Sequence, residues 1–160
     1  MNPVTVAACA GTMLLAALCG CDPQDRCGPD TARVVRVVDG DTLDIDDGDR
    51  VRILGIDAPE TGLAPECGGL EAFAFLASSV EGRRVTLEYG PTCRDPHGRL
   101  LAHVRVGGVL AGLQLLAAGL ACPCFPEPDE RHRQQFLEAA QVARARGLGL
   151  WGTCTPMPCW

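Results

Sequence analysis

Lysine is absent from this chain, so its 14 lysine-plus-arginine positions are all arginine. Acidic residues outnumber them at 20, which gives a formal net charge of −6. A surface of that sign disfavours a protein that coats nucleic acid or another polyanion through general electrostatic attraction. It does not exclude a local phosphate site built from a few arginines.

Aromatic residues are also scarce, at 4% of the chain. This scarcity disfavours a single-strand binder in which a row of rings stacks on successive bases. The 12 prolines and 19 glycines predict many turns rather than a long helical bundle. With 160 residues, of which 47% are hydrophobic, the chain supports one domain of ordinary size.

Charged side chains are missing from the segment between Met1 and Cys21. The run from Val4 to Leu18 has the length and apolarity of a signal-peptide core, so residues 1–21 are predicted to be an export leader. The leader ends in Leu-Cys-Gly-Cys, which resembles the bacterial lipobox, and Cys21 is therefore predicted to be lipidated. The alternatives are an uncleaved membrane anchor and an ordinary leader or disulfide cysteine at this position.

Residues 22–30 are rich in Asp, Pro and Gly and are predicted to be a linker. It connects the leader to a folded domain over residues 31–153, and residues 154–160 form a cysteine-containing tail. We expect a bacterial protein that is either secreted or held on the membrane of the cell envelope by its lipid anchor.

Periodicity predicts five short strands and three helices after the linker. The strands are Arg33–Val38, Thr42–Ile45, Arg50–Ile56, Arg84–Tyr89 and Leu100–Val106. The helices are Leu70–Val80, Val109–Ala118 and a third that runs from its N-cap at Asp129 to Gly147. This order predicts an α+β fold with a five-stranded barrel of the oligonucleotide/oligosaccharide-binding (OB) type.

Four polar motifs stand out along the chain, although each alone is a weak signal. They are Asp39-Gly-Asp-Thr42, Arg52 with Asp57-Ala-Pro-Glu60, Asp95-Pro-His-Gly-Arg99, and Gly147-Leu-Gly-Leu-Trp151. An Asp-Gly pair between strands is by itself a turn signal, and a single strand arginine by default faces solvent. In combination, their order and spacing resemble the staphylococcal nuclease family from Val34 to Trp151.

The resemblance implies a five-stranded barrel with three helices that cleaves DNA and RNA and uses Ca²⁺. By motif position, Asp41 and Asp57 correspond to the carboxylate ligands of the metal, and the main-chain carbonyl of Ala58 to a third ligand. The residue types suit the ion, because Ca²⁺ is a hard cation that takes six to eight oxygen ligands.

The same resemblance implies that Arg52 and Arg99 clamp the phosphate and that Glu60 activates or orients the attacking water. Planar guanidinium groups suit a phosphodiester, because they are permanently protonated and donate in a fixed fork to the oxygens on which charge grows. The proline before Glu60 favours a rigid loop that holds this carboxylate toward a water molecule.

Cysteine is unusually frequent, at 10 residues, which indicates export into an oxidising compartment and disulfide formation. If Cys21 is lipidated, seven cysteines remain for the mature chain, enough for three disulfides and one free thiol. The pairing stays open at this point. Rival interpretations are a zinc site formed by Cys122, Cys124, Cys154 and Cys159, and a redox pair formed by Cys122 and Cys124.

The sequence therefore predicts an exported, monomeric, Ca²⁺-dependent nuclease that hydrolyses phosphodiester bonds of DNA and/or RNA with water. The alternative is a non-catalytic OB-fold module of the envelope that binds nucleic acid, glycan or protein. A third possibility is a structural envelope lipoprotein that shares only the fold. Retention of Arg52, Glu60 and Arg99 favours the enzyme.

Overall fold

Apolar residues that alternate along the chain build the strands of a barrel, which is described by a computed structural model over residues 27–126 and 131–158. The strands are β1 (Thr31–Val37), β2 (Thr42–Ile45), β3 (Arg50–Ile53), β4 (Ile56–Asp57), β5 (Arg84–Arg94), β6 (Leu100–Val106), β7 (Val109–Leu110) and β8 (Cys122–Pro123). The helices are α1 (Gly69–Val80), α2 (Ala111–Ala118), α3 (Arg133–Ala145) and the single turn α4 (Leu150–Thr153).

Closure of the barrel depends on one parallel pairing. Strands β3, β2, β1, β5 and β6 follow one another through antiparallel pairs, and β3 then pairs with β6 in parallel register, with Arg52 opposite Leu101. The main barrel therefore has five strands, and α1, α2 and α3 accompany it. This arrangement confirms the predicted α+β class and the five-stranded barrel with three helices.

The core lies inside the barrel and between it and the helices. Barrel strands contribute side chains that are almost completely buried, among them Val34, Leu43 and Val51. Each long helix adds apolar residues from one face, such as Leu76 in α1 and Phe136 in α3. A helix with one buried stripe gains most of its stability from this packing, which explains why the helices form where the apolar spacing is 3.6 residues.

The third strand differs from the prediction, which extended it from Arg50 to Ile56. It ends at Ile53, because Gly55 takes a positive φ of 81° and turns the chain. A side chain at Gly55 would collide with the ring of Phe136, since its Cβ would lie 2.7 Å from that ring. The next residues, Ile56 and Asp57, form the separate strand β4 and pair with β8.

Two predicted helix starts were also wrong. Val109 and Leu110 extend the sheet by pairing with β6, so α2 begins at Ala111. The third helix begins at Arg133 with His132 as its N-cap residue, and Asp129 lies outside the described residues. It ends at Ala145 instead of Gly147. Tertiary pairing overrides local helix signals in the first case.

Disulfides join distant parts of the chain. Cys27 is bonded to Cys93 and Cys67 to Cys154, across sequence separations of 66 and 87 residues. Cys122 is disulfide-bonded as well, and Cys124 is the one free cysteine within the described ranges. The zinc and redox-pair interpretations are therefore wrong for Cys122 and Cys154, because their sulfurs are already engaged.

No helix among the described residues is long and apolar enough to span a membrane. The predicted leader, the lipidation site at Cys21 and most of the linker lie outside those residues.

Candidate active site

Asp41 lies at the end of the turn between β1 and β2, and only 5% of its surface is exposed. The turn forms because the side chain of Asp39 accepts a hydrogen bond from the amide of Asp41 at 3.0 Å, the local contact that favours Asp in such turns. The Asp41 carboxylate in turn accepts hydrogen bonds from the Thr42 hydroxyl at 3.0 Å and the Ala58 amide at 2.8 Å.

Arg52 connects this buried carboxylate to a second one. Its Nη1 lies 2.7 Å from Asp41 Oδ2, and its Nη2 donates to Asp57 Oδ1 at 2.6 Å. A further hydrogen bond of 3.0 Å runs from Nη1 to the carbonyl of Ile56. The side chain is mostly buried, so the default expectation that a lone strand arginine faces solvent does not hold here.

Burial raises the pKa of Asp41 to about 7, although the charge of Arg52 and the amide of Ala58 oppose this rise. The nearby charge of Asp39 raises the pKa further. When Asp41 is ionised, Arg52 and the Ala58 amide balance its negative charge only in part. An additional cation beside it favours the ionised form. The acceptor chemistry around Asp41 and Asp57 thus fits a hard divalent cation, whose preferred ligands are oxygens.

Ala58 faces this site through its backbone, since its amide donates to Asp41. Ligation by its carbonyl remains a prediction. Within residues 27–126 and 131–158, no group of three or more His, Cys, Asp or Glu residues is arranged to hold a metal ion. A cation at this position would therefore need main-chain oxygens, water or substrate oxygens besides Asp41 and Asp57.

Glu60 lies on the loop that follows Asp57, and its side chain is exposed. Partial burial raises the pKa of the Glu60 carboxyl, and the negative charges of Asp39 and Glu66 raise it further. The positive charge of Arg52 lowers the pKa of Glu60, and the negative charge of Asp57 raises it. Glu60 therefore belongs to the same electrostatic environment as Arg52 and Asp57.

Arg99 ends a tight turn whose geometry is set by Asp95. The Asp95 side chain accepts hydrogen bonds from the amides of His97 at 2.8 Å and Arg99 at 3.0 Å. Its second oxygen lies 2.6 Å from Arg99 Nε. Burial would raise the pKa of Asp95, but these hydrogen bonds outweigh it and hold the pKa below its usual range.

The parallel pairing of β3 with β6 brings the two arginines to one cavity. Arg52 and Arg99 both line a cavity of about 270 Å³, together with Asp95 and Cys124. Arg52 therefore contacts both Asp41 and Asp57, and Arg99 lines the same cavity as Arg52.

The sequence-based prediction gave no role to Asp95 or Thr42, and it placed Cys124 only in a zinc site or a redox pair. Asp95 orients Arg99, Thr42 donates to Asp41, and Cys124 lines the cavity. The Asp-Pro-His-Gly-Arg pattern carried a usable signal for Asp95, because Asp commonly bonds to amides two residues onward in such turns. Cys124 had no comparable local signal.

The family model described as staphylococcal nuclease homologue matches residues 50–153. The chain is 36% identical over 124 residues to the thermonuclease of Staphylococcus intermedius, which covers 74% of each protein. It is also 32% identical over 139 residues to an uncharacterized endonuclease of Escherichia coli O157:H7, covering 84% of this chain and 85% of that one.

The chain belongs to the staphylococcal nuclease family. A third relative, the SPbeta prophage-derived endonuclease YokF of Bacillus subtilis, is 36% identical over 124 residues, which cover 72% of this chain and 42% of that protein. The matched segment of the family model contains Arg52, Asp57, Glu60 and Arg99, whereas Asp41 precedes it.

Proposed function

We propose that this protein is an exported, Ca²⁺-dependent nuclease that hydrolyses phosphodiester bonds of DNA and/or RNA with water as the nucleophile. As a member of the staphylococcal nuclease family, it is a hydrolase of phosphodiester bonds in nucleic acids. The proposed metal and substrate contacts are supported by one observation. Arg52 and Arg99 line the same cavity, and Arg52 is also paired with Asp41 and Asp57.

In this proposal the two arginines bind the scissile phosphate. Each guanidinium is bonded to an aspartate in the structure, Arg52 to Asp57 and Arg99 to Asp95. These contacts orient the planar groups, so less side-chain freedom is lost when the phosphate binds. Charge-assisted hydrogen bonds from both sides would then stabilise the charge that grows on the non-bridging oxygens.

Asp41, Asp57 and the carbonyl of Ala58 are the residues that would hold Ca²⁺. When bound, the ion would supply positive charge to the phosphoryl oxygens and to the carboxylates. The high pKa of Asp41 supports this assignment, because it shows a buried carboxylate whose ionised form lacks full compensation.

Glu60 is proposed to accept a proton from the attacking water or to orient that water. A carboxylate is a stronger base when its pKa is raised, and burial with neighbouring negative charge raises the pKa of Glu60. Its loop position beyond Asp57 leaves the side chain accessible to solvent water.

Export is supported by the disulfides, because bonds such as Cys27–Cys93 and Cys67–Cys154 persist in oxidising compartments. Together with the charge-free leader, they support secretion or attachment to the envelope through a lipid on Cys21. We propose that the protein acts as a monomer.

The test is degradation of single-stranded DNA and of RNA by the purified protein, with Ca²⁺ or with a chelator. We expect cleavage only with Ca²⁺, and a loss of about 10²–10³-fold in kcat for Arg99→Ala and for Glu60→Ala. Arg83→Ala is the matched control, because Arg83 is an exposed arginine that does not line the cavity.

Cleavage that survives chelation and both substitutions would contradict the mechanism. A tight nucleic acid complex that yields no product after long incubation would instead identify a non-catalytic binding module.

A further inference from the structure

The loop that carries Glu60 is tied covalently to the C-terminal part of the domain. It ends at Cys67, whose sulfur is bonded to that of Cys154, directly after α4. The two cysteines are 87 residues apart in sequence. The bridge thus joins the segment before α1 to the end of the folded chain.

Hydrogen bonds continue this connection from Cys67 to Glu60. The amide of Glu60 donates to the side chain of Glu66 at 3.0 Å, and the amide of Glu66 donates to the carbonyl of Glu60 at 2.9 Å. Both main-chain polar groups of Glu60 are therefore held by the residue that immediately precedes Cys67.

Close packing at the start of α1 holds the same backbone from a second direction. A Cβ on Gly69 would lie 2.5 Å from the carbonyl oxygen of Glu60, so only glycine allows this approach. The preceding residue, Gly68, has a positive φ of 82° and leaves no room for a side chain beside Leu150 of α4. The start of α1 therefore packs tightly against α4 on one side and against the Glu60 backbone on the other.

We propose that the Cys67–Cys154 disulfide is a positioning element for Glu60, acting through Glu66 and the start of α1. This inference rests on the catalytic role given to Glu60 in the proposed function. Without the bridge, the barrel and its arginines keep their places, but the Glu60 backbone samples more positions. Turnover then falls, because displacement of a catalytic group by about 1 Å can cost up to 10²-fold in rate.

The experiment compares the double variant Cys67→Ala/Cys154→Ala with the full-length wild type. Both cysteines are replaced together, because a single remaining thiol could attack another disulfide of the chain, such as Cys27–Cys93, and release one of its cysteines as a free thiol. We expect kcat on single-stranded DNA with Ca²⁺ to fall about tenfold, while KM changes less than about twofold. An unchanged kcat would overturn the proposal.

The decisive measurement repeats this substitution in a Glu60→Ala background. If the bridge acts by positioning Glu60, its removal has no further effect on kcat once the carboxylate is gone. The matched control is Cys27→Ala/Cys93→Ala, which removes a disulfide that does not border the Glu60 loop. Its effect is expected to be the same with and without Glu60.

If Cys67→Ala/Cys154→Ala lowers kcat by the same factor in the Glu60→Ala background as in the wild type, the bridge has a merely structural role and the proposal is overturned. Retention of wild-type activity by Glu60→Ala alone would instead refute the proposed catalytic role of Glu60. The two failures are therefore distinguishable.

A second pair of variants tests the same positioning with the disulfide intact, in case the double variant does not fold. Gly69→Ala forces the Glu60 carbonyl to move, whereas Gly62→Ala places a methyl group in open space within the same loop. We expect a selective fall in kcat for Gly69→Ala and wild-type kinetics for Gly62→Ala. Equal kinetics of a folded Gly69→Ala protein and the wild type would contradict the proposal.

Discussion

Two clusters of this protein combine carboxylate and arginine side chains, yet the pKa of the carboxyl group shifts upward in one and downward in the other. In the site cluster, formed by Asp41, Arg52 and Asp57, burial exceeds the compensation and raises the pKa of Asp41 to about 7. In the barrel–helix cluster, formed by Glu88, Arg105 and His132, burial also acts to raise the pKa of Glu88. There the hydrogen bonds from Arg105 and His132 outweigh burial, and the pKa is lowered.

The surroundings explain this difference. Glu88 is partly exposed and pairs with Arg105, and its other oxygen lies 2.9 Å from His132 Nε2. Asp41 is far more buried and shares its arginine with Asp57. The barrel–helix cluster thus supplies two donors to one carboxylate and connects the barrel to α3, whereas in the site cluster two carboxylates share one arginine. A carboxyl group whose pKa is strongly raised in this way is typical of a functional site.

The two clusters should differ most when each loses its arginine. Arg52→Ala is expected to lower kcat by about 10²–10³-fold, because a donor to the phosphate is lost and Asp41 is left buried without its ion pair. Arg105→Ala is expected to leave kcat within about twofold and to cost roughly 1 kcal/mol of stability. Steady-state kinetics and urea unfolding measure both, and similar kinetic losses would contradict the assignment.

The pH dependence of stability should have opposite slopes for the two clusters. The raised pKa of Asp41 means that the folded state binds its proton more tightly, so without divalent cations stability falls as pH rises from about 4 to about 7. The lost stability is about 1.4 kcal/mol for each unit of pKa increase.

Glu88 has a lowered pKa, so its contribution is present above its unfolded pKa and is lost as the pH falls through the folded value. Urea unfolding across the pH range should show the first slope vanish in Asp41→Asn and the second in Glu88→Gln. If the pH dependence of stability is unchanged by one of these substitutions, the carboxyl group that it removes does not cause the slope assigned to it.

Calcium should stabilise the protein through the site cluster alone. At a Ca²⁺ concentration of 100 times Kd, linkage predicts an increase of about 2.7 kcal/mol in the free energy of unfolding. Asp41→Asn is expected to abolish this gain, and Glu88→Gln to preserve it. Thermal unfolding with Ca²⁺ and with chelator measures the difference, and an equal gain in Asp41→Asn would place the ion elsewhere.

The smallest effect is expected for an ion pair on the outer surface of the β1–β2 hairpin. Arg36 and Asp44 are in contact at 2.6 Å, but 62% of the arginine side chain is exposed. Arg36→Ala should therefore change stability by less than about 1 kcal/mol and leave kcat within about twofold. A large loss of activity would show that the substrate contacts this hairpin.

Local patterns predicted those elements whose signals are contained in a few neighbouring residues. Strands β2 and β6 and helix α1 follow from the spacing of their apolar residues, and the Asp39 turn follows from a short-range bond to an amide. The prediction failed where a distant contact decided the outcome. Gly55 ends β3 against Phe136, and Val109 and Leu110 join β6 instead of α2.

Motif spacing and residue type are local properties, so they were enough to predict the family, the α+β order and the charged side chains of the site. The disulfide partners, the burial of Asp41 and the placement of Arg52 and Arg99 at one cavity became visible only in the folded chain. These features depend on the parallel pairing of β3 with β6 and on packing between segments far apart in the chain. Burial and charge compensation are sums over such non-local neighbours, so no local pattern contains them.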